Sequence, residues 1–303
     1  MKTGGGGVRD ARLKIGISGI GMGKGARPRT LQIAAVHAER LGFATLWAPE
    51  HVVLFDHYAS TYPYSADGQF LAAGNTPLLD PFVALTYAAA CTRRIRLATG
   101  ICLVPQRNPL ILAKVIASLD RLSDGRFALG VGIGWSAEEF AALGVSFARR
   151  APRTGEYIEA MRRLWGDDQS SFSGEFVNFQ GARSFPKPAR GAGLPIIFGG
   201  ESVAALRRVA RYGDGWFSVN LSDAQLAEKL ARLDALLAEN GRTRDAIEII
   251  VSPYQQEVTP DRIRRYRDLG VNEIIPFVRM PSDEAQIPAQ LEQLARVWAP
   301  GEA

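Results

Sequence analysis

Eight strand–helix repeats along one chain of 303 residues predict a (β/α)8 TIM barrel. Three observations carry that expectation. The candidate strands are short apolar runs rich in β-branched residues and without a polar face, as strands covered on both sides are. Each is followed by a helical pattern, so successive strands should run parallel. Glycines and charged residues cluster where the strands end, on the side of such a barrel that carries chemistry. A doubly wound open sheet with insertions is the alternative, and the count of eight favours closure.

The clearest repeat spans Arg94 to Trp135. Ile95 to Leu103 reads as a strand buried on both faces. Asn108 can N-cap a helix with Pro109 at its first position, where a missing N–H costs nothing. Leu112, Val115, Ile116, Leu119 and Leu122 keep one helical face apolar. Gly125 ends that helix, and Arg126 to Val131 is the next strand.

The other repeats follow the same logic. Lys14 to Ser18 is a strand, and Thr30 to Leu41 a helix ended by Gly42. Ala44 to Ala48 leads into Pro49-Glu50-His51. Asp80-Pro81 opens a helix. Helices are expected near Glu138 to Leu143 and Arg153 to Trp165, and F-S-G-E-F-V-N-F reads as a hairpin outside the main sheet. Strands at Pro195 to Phe198, Trp216 to Val219, Ile247 to Val251 and Glu273 to Phe277 alternate with helices at Ser202 to Tyr212, Ser222 to Glu239, Thr259 to Leu269 and Asp283 to Trp298. The expected organisation is a flexible tail over residues 1–12 and one barrel domain over 13–303. Insertions follow the second strand (52–79) and the fourth (145–190). The first lacks periodicity and carries Phe55, Tyr58, Tyr62, Tyr64 and Phe70, so it reads as an ordered substrate lid, with a segment covering a neighbouring subunit as the alternative.

Composition narrows the function. The net charge is +5 and only six residues are lysine, so the positive charge is arginine, scattered through helical patterns beside Asp and Glu. No basic stripe points to nucleic acid. Cys91 and Cys102 have neither CxxC nor metal spacing and read as reduced core thiols. The start has no apolar leader region and no run reaches membrane-spanning length, so a cytoplasmic protein is expected. His51 and His57 have no ligand set with recognised spacing, so no metal is expected.

The glycine-rich stretch G-I-G-M-G-K-G, from Gly19 to Gly25, fails the Walker pattern and meets the dinucleotide pattern only loosely. It reads as a strand-to-helix loop. The candidates for chemistry stand at strand ends: Glu50 and His51, then Gly100, Ile101 and Arg107, then Gly132, Gly134 and Trp135, then Gly199, Gly200, Glu201 and Ser202. The last four open a helix with free N–H groups and a hydroxyl, which suits a phosphate, although Ser202 could equally cap its own helix. Arg107 is expected to add charge near that turn. Gly130, Gly132 and Gly134 would let a flat ligand lie against backbone.

Four stretches together carry a resemblance: W-A-P-E-H-V-V; D-P-F-V-A-L-T-Y-A-A-A-C-T-R-R-I-R-L-A-T-G-I-C-L-V-P-Q-R-N-P; L-D-R-L-S-D-G-R-F-A-L-G-V-G-I-G-W-S-A-E-E-F; and P-I-I-F-G-G-E-S. From Leu13 to about Trp298 the chain resembles the luciferase-like monooxygenase superfamily, and more narrowly its coenzyme F420-dependent oxidoreductases. The resemblance implies a flavin or 5-deazaflavin at the barrel mouth, F420 first and FMN as the alternative. It implies His51 beside the ring with Glu50 as acidic neighbour, and a cis peptide between Gly100 and Ile101 behind the ring. Gly132, Gly134 and Trp135 would wall the ring edge and ribityl chain, and Glu201 and Ser202 the phosphate. Trp135 stands where some deazaflavin dehydrogenases carry a glutamate, and Ser136 where an asparagine is common. The implied activity is hydride exchange between F420 and a small organic substrate held under His57, Tyr58, Tyr62 and Tyr64 of the lid. The alternatives are a monooxygenase using reduced FMN and oxygen, and a non-catalytic flavin-binding barrel. A homodimer is the expected assembly.

Overall fold

The apolar runs become strands, and every barrel strand pairs in parallel. In the computed structural model, which describes residues 13–254 and 256–298, β1 runs as Lys14–Ile15 and Ile17–Ser18, and β2 is Thr45–Ala48. β3 is Arg96–Thr99, resuming as Cys102–Leu103, and β4 is Phe127–Gly132. β5 (Ile196–Gly199), β6 (Gly215–Val219), β7 (Glu248–Ser252) and β8 (Glu273–Ile274) complete the set. The hydrogen-bonded path leaves the first half of β1, passes β8, β7, β6, β5, β4, β3 and β2 in turn, and returns to the second half of β1. Both ends of that path belong to one strand, so the sheet closes and the open-sheet alternative falls.

β1 changes partner at Gly16, whose N–H donates to the Ile274 carbonyl at 2.9 Å. A side chain there would meet the indole nitrogen of Trp47 at 3.0 Å. The lumen is filled by Trp47, Ala98, Ala128, Ile197, Phe217 and Ile250, one from each strand from β2 to β7, and by Ile275, the residue after β8. Side chains of unequal size interdigitate there, so the barrel centre is a core and not a pore. Trp47 and Phe217 meet across it with ring centroids 5.1 Å apart.

The second apolar layer lies between the strands and the helices: α1 (Pro28–Arg40), α2 (Pro81–Cys91), α3 (Pro109–Leu122), α4 (Ala137–Ala142), α5 (Arg150–Gly166), α6 (Val203–Tyr212), α7 (Asp223–Glu239), α8 (Pro260–Asp268) and α9 (Ile287–Trp298). Leu85, Ile116, Leu206 and Leu233 are wholly buried in it. Each such residue contributes roughly 1.5–3 kcal/mol relative to exposure. The caps read from sequence form: Asn108 accepts from the Leu110 and Ile111 amides, and Asp80 from those of Phe82 and Val83.

Two expected strands differ. The run from Ile95 to Leu103 breaks after Thr99, at a cis Gly100–Ile101 peptide, and the last strand is only two residues long. Residues 52–79 contain no helix, and their only ladder contact is a bridge between Leu78 and Met22. In 145–190, α5 lies against α3, with Trp165 Nε1 donating to the Ala113 carbonyl at 3.1 Å. The expected hairpin forms from Ser170–Ser173 and Asn178–Ala182. The expected tail, 1–12, lies outside the described residues. Among those described, no helix is long and apolar enough to cross a membrane.

Candidate active site

β2 ends by delivering two side chains with different fates. Glu50 is 4 % exposed, and both its oxygens are occupied: Oε2 accepts from the Leu103 amide at 2.5 Å, and Oε1 accepts from Arg107 Nε at 2.6 Å and from Arg107 Nη2. Arg107 also donates to Asp80 Oδ2 at 2.6 Å and stacks on Phe82. Burial alone would lower its pKa, but Glu50, Cys102 and Asp80 together outweigh that and raise it. This guanidinium is absent from the cavity wall. The expectation of Arg107 beside the phosphate turn is therefore corrected: it ties the β3 loop to Glu50 and to the cap of α2.

His51 has the other fate. Its ring lines the cavity, and its Nδ1 lies 3.0 Å from Glu139 Oε2. Glu139 is 1 % exposed and also accepts from the Val52 amide at 2.6 Å and from Gln106 Nε2 at 3.2 Å. Burial pushes the Glu139 carboxyl up, but these donors reverse the effect and hold it below the usual carboxylate range. A carboxylate facing Nδ1 assigns the hydrogen to Nδ1 and leaves Nε2 for the cavity. Sequence reading missed Glu139. Ser136-x-x-Glu139 has the form of a capping box, whose glutamate would turn back on its own helix. Ser136 does cap, accepting from the Glu139 amide at 3.1 Å, but the glutamate reaches across to β2.

The floor of the cavity is Ile101. The cis Gly100–Ile101 peptide expected from the resemblance is present. A side chain at Gly132 or at Gly199 would meet Ile101 Cδ1 at 2.6 Å. One at Gly134, where φ is +78°, would meet the Phe140 ring at 2.5 Å. The glycines on β4 and β5 thus make room for Ile101, and a flat ligand would rest on that isoleucine rather than on bare β4 backbone.

At the β4–β5 side the Gly199–Ser202 turn opens α6. Gly200 has φ +107°, and Ser202 Oγ accepts from the Ala205 amide at 3.1 Å, so the serine caps its helix while its O–H remains able to donate. Two arginines not read from the sequence, Arg150 and Arg208, line the cavity beside this turn. Arg150 donates to the Gly134 and Phe147 carbonyls. Among the described residues neither arginine has a carboxylate partner. Burial lowers the pKa of both, and the Arg150 charge lowers Arg208 further. Glu201 Oε1 accepts from the Val219 amide at 2.9 Å. Burial raises this cavity-wall carboxyl to about 7 against that bond.

The 52–79 insertion roofs the cavity. Phe70 stacks near His51 at 4.9 Å, Tyr62 at 4.9 Å and Trp135 at 5.4 Å. Tyr62 and Tyr64 reach the cavity wall. Tyr58 packs behind Trp135 with its Oη accepting from the Phe55 amide, and His57 is exposed; neither lines the cavity. Glu138, next to the histidine's partner, pins the insertion by accepting from the Ala59 and Ser60 amides at 2.6 and 2.9 Å. The cavity, open to solvent on one side, has a volume of about 1130 Å³. Among the described residues no cluster of His, Cys, Asp or Glu could hold a metal ion.

Residues 13–301 match the luciferase-like monooxygenase family. The chain belongs to that family. An uncharacterized Mycobacterium tuberculosis protein is 36% identical over 264 residues, 86% of this chain and 91% of its own. The F420-dependent glucose-6-phosphate dehydrogenase of Intrasporangium calvum is 29% identical over 74% of this chain and 64% of its own. Among solved structures, monooxygenase RslO1 from Streptomyces bottropensis superposes with a TM-score of 0.75 at 22% identity, covering 95% of this chain and 99% of that one. The F420-dependent tetrahydromethanopterin reductase of Methanopyrus kandleri does so at 0.73 and 16%, with the same coverage. At these identities the superpositions establish the luciferase-like barrel and nothing finer. Oxidoreductase or monooxygenase chemistry comes with the family.

Proposed function

We propose that this luciferase-like protein transfers a hydride between the deazaflavin coenzyme F420 and a small organic substrate. The observation that carries the reading is His51, locked by a buried carboxylate so that Nε2 faces a cavity floored by Ile101. Sites for one small ligand occupy roughly 300–1,000 Å³. At about 1130 Å³ this cavity suits a coenzyme and a second molecule together.

The residues present fit the coenzyme. Ile101 would back its ring, and the Gly199–Ser202 turn with Arg150 and Arg208 would take its phosphate. When bound, F420 supplies the hydride chemistry. The chain's own share is positional: His51 Nε2 holds or delivers a proton, while Phe70, Tyr62 and Trp135 exclude water. The F420-dependent relative supports the deazaflavin. An FMN-dependent monooxygenase is the second reading, favoured by the RslO1 likeness. A barrel that only bound flavin would have no use for a buried carboxylate spent on orienting a cavity-facing imidazole. A homodimer is part of the proposal: Val83 and Tyr87 on α2, and Ile111 and Leu122 on α3, are exposed at spacings that align them along their helices.

Reduced F420 mixed anaerobically with a panel of ketones, enones and quinones tests the reaction through the coenzyme's absorbance. Oxidation that depends on both protein and acceptor supports hydride transfer. Turnover that requires reduced FMN and oxygen would instead establish the monooxygenase.

A further inference from the structure

The cavity has a second cationic edge. In a closed barrel of eight strands the β8–β1 junction lies across the mouth from the β4–β5 junction. Arg150, Arg208 and the Gly199–Ser202 turn belong to the latter. On the opposite side the cavity is lined by Lys24 and Arg27, in the loop between β1 and α1, and by Arg279, in the loop after β8. The two loops are in contact: a side chain at Gly25 would meet Met280 Cγ at 3.3 Å.

All three cations are exposed, and among the described residues none has a carboxylate within salt-bridge distance. Other arginines of this chain do sit on carboxylates, as Arg96 does on Glu248 and Arg244 on Asp234. Three like charges around one opening raise the local concentration of anions, and they repel each other until one arrives. Below them the wall turns apolar, with Met22, Phe277 and Met280. Phe277 packs edge-on against Tyr254 at 6.1 Å. Tyr254 and Arg279 line the same cavity, and the Arg279 charge opposes the rise that burial causes at the Tyr254 hydroxyl.

We infer that the substrate is an organic anion, its acid group on Lys24, Arg27 and Arg279 and its apolar body against Met22, Phe277 and Met280. The inference rests on the proposed reading of the cavity as a coenzyme-and-substrate site, with the β4–β5 cations reserved for the coenzyme phosphate. The same edge could serve a carboxylate, a sulfonate or a phosphate ester. It could also serve the acidic tail that F420 carries and FMN lacks, and the test separates these sources.

Calorimetric titration of 3-phenylpropionate and of the uncharged 3-phenylpropionamide provides that test. The wild-type protein should bind the anion at least tenfold more tightly than the amide. Lys24→Gln/Arg27→Gln/Arg279→Gln should bring the two within twofold. Among the described residues none of these three side chains makes a hydrogen bond, so the variant should fold normally. Arg150→Gln/Arg208→Gln should keep the preference. F420 and FMN affinities of the triple variant should each stay within threefold of wild type, because the coenzyme contacts are elsewhere. No preference for the anion in wild type, or one that survives the triple change, overturns the inference. A tenfold loss of F420 affinity with FMN unchanged also overturns it, by assigning the cations to the coenzyme tail. Failure of wild-type protein to bind either coenzyme, with the anion preference intact, would defeat the proposed function and leave the anion edge standing.

Discussion

The Glu139 carboxylate, one residue after the glutamate that pins the 52–79 insertion, receives His51 Nδ1 at 3.0 Å from 88 positions away in the chain. Replacing it by glutamine keeps the shape but allows the amide to face Nδ1 with either its N–H or its oxygen. Glu139→Gln should therefore mix the imidazole tautomers and lower turnover by at least about tenfold, less than the roughly hundredfold or more that a positioned acid or base contributes, because the imidazole itself remains. Nitrogen-15 correlation spectra of the His51 ring read the tautomer without any substrate. An unchanged Nδ1–H pattern in the variant would contradict the assignment.

Glu138 grips the insertion through its side chain, at the Ala59 and Ser60 amides. The desolvation it suffers is outweighed by its backbone and Ser60 and Ser136 hydrogen bonds, which lower its carboxyl to about 2. A depressed carboxyl stabilises above its unfolded value and loses that contribution as pH falls through the folded one, so the lid anchor is intact from about pH 4.5 upward and fails toward pH 2. The group is largely solvated, so the contribution is about 1 kcal/mol or less. Glu138→Gln should speed hydrogen exchange at the Ala59 and Ser60 amides at neutral pH. Unaltered exchange there would show that the aromatic stack holds the lid without it.

Much of the fold was legible because it is written locally. Continuous apolar runs, the Asn108 and Asp80 caps and Gly125 each act within a few residues, so the order of strands and helices followed from them. The cis peptide and the family came from the resemblance. What could not be read was the choice of partners across the barrel. Glu139 carried a capping-box spacing and spent its side chain elsewhere. Arg107 stood near a strand end like a ligand-binding residue, but Glu50 and Asp80 claimed it from 57 and 27 positions away. Arg150 and Arg208 looked like two more helix arginines, and only the closing of the barrel sets them beside the Gly199–Ser202 turn.

Glu201 should make coenzyme binding pH-dependent. Its carboxyl is raised to about 7, so below that value it is neutral beside the proposed phosphate and above it becomes an anion that repels the phosphate. Relative to Glu201→Gln, wild-type affinity for either coenzyme should fall by about 1 kcal/mol between pH 6 and 8. The same rise means that folding takes up a proton between the ordinary carboxylate range and 7, so wild-type stability should decline across that window and level off above it. Parallel pH profiles of the two proteins would place the phosphate away from Glu201.

Side-by-side titration of F420 and FMN into the wild-type protein and into Arg150→Gln/Arg208→Gln bears most directly on the proposed function. The expected result is F420 binding at least about tenfold more tightly than FMN, a difference of ~1.4 kcal/mol. The double substitution should cost each coenzyme a further tenfold or more, since both would lose the same phosphate contacts. FMN binding as tightly as F420, or F420 affinity unmoved by loss of the two arginines, would contradict the account.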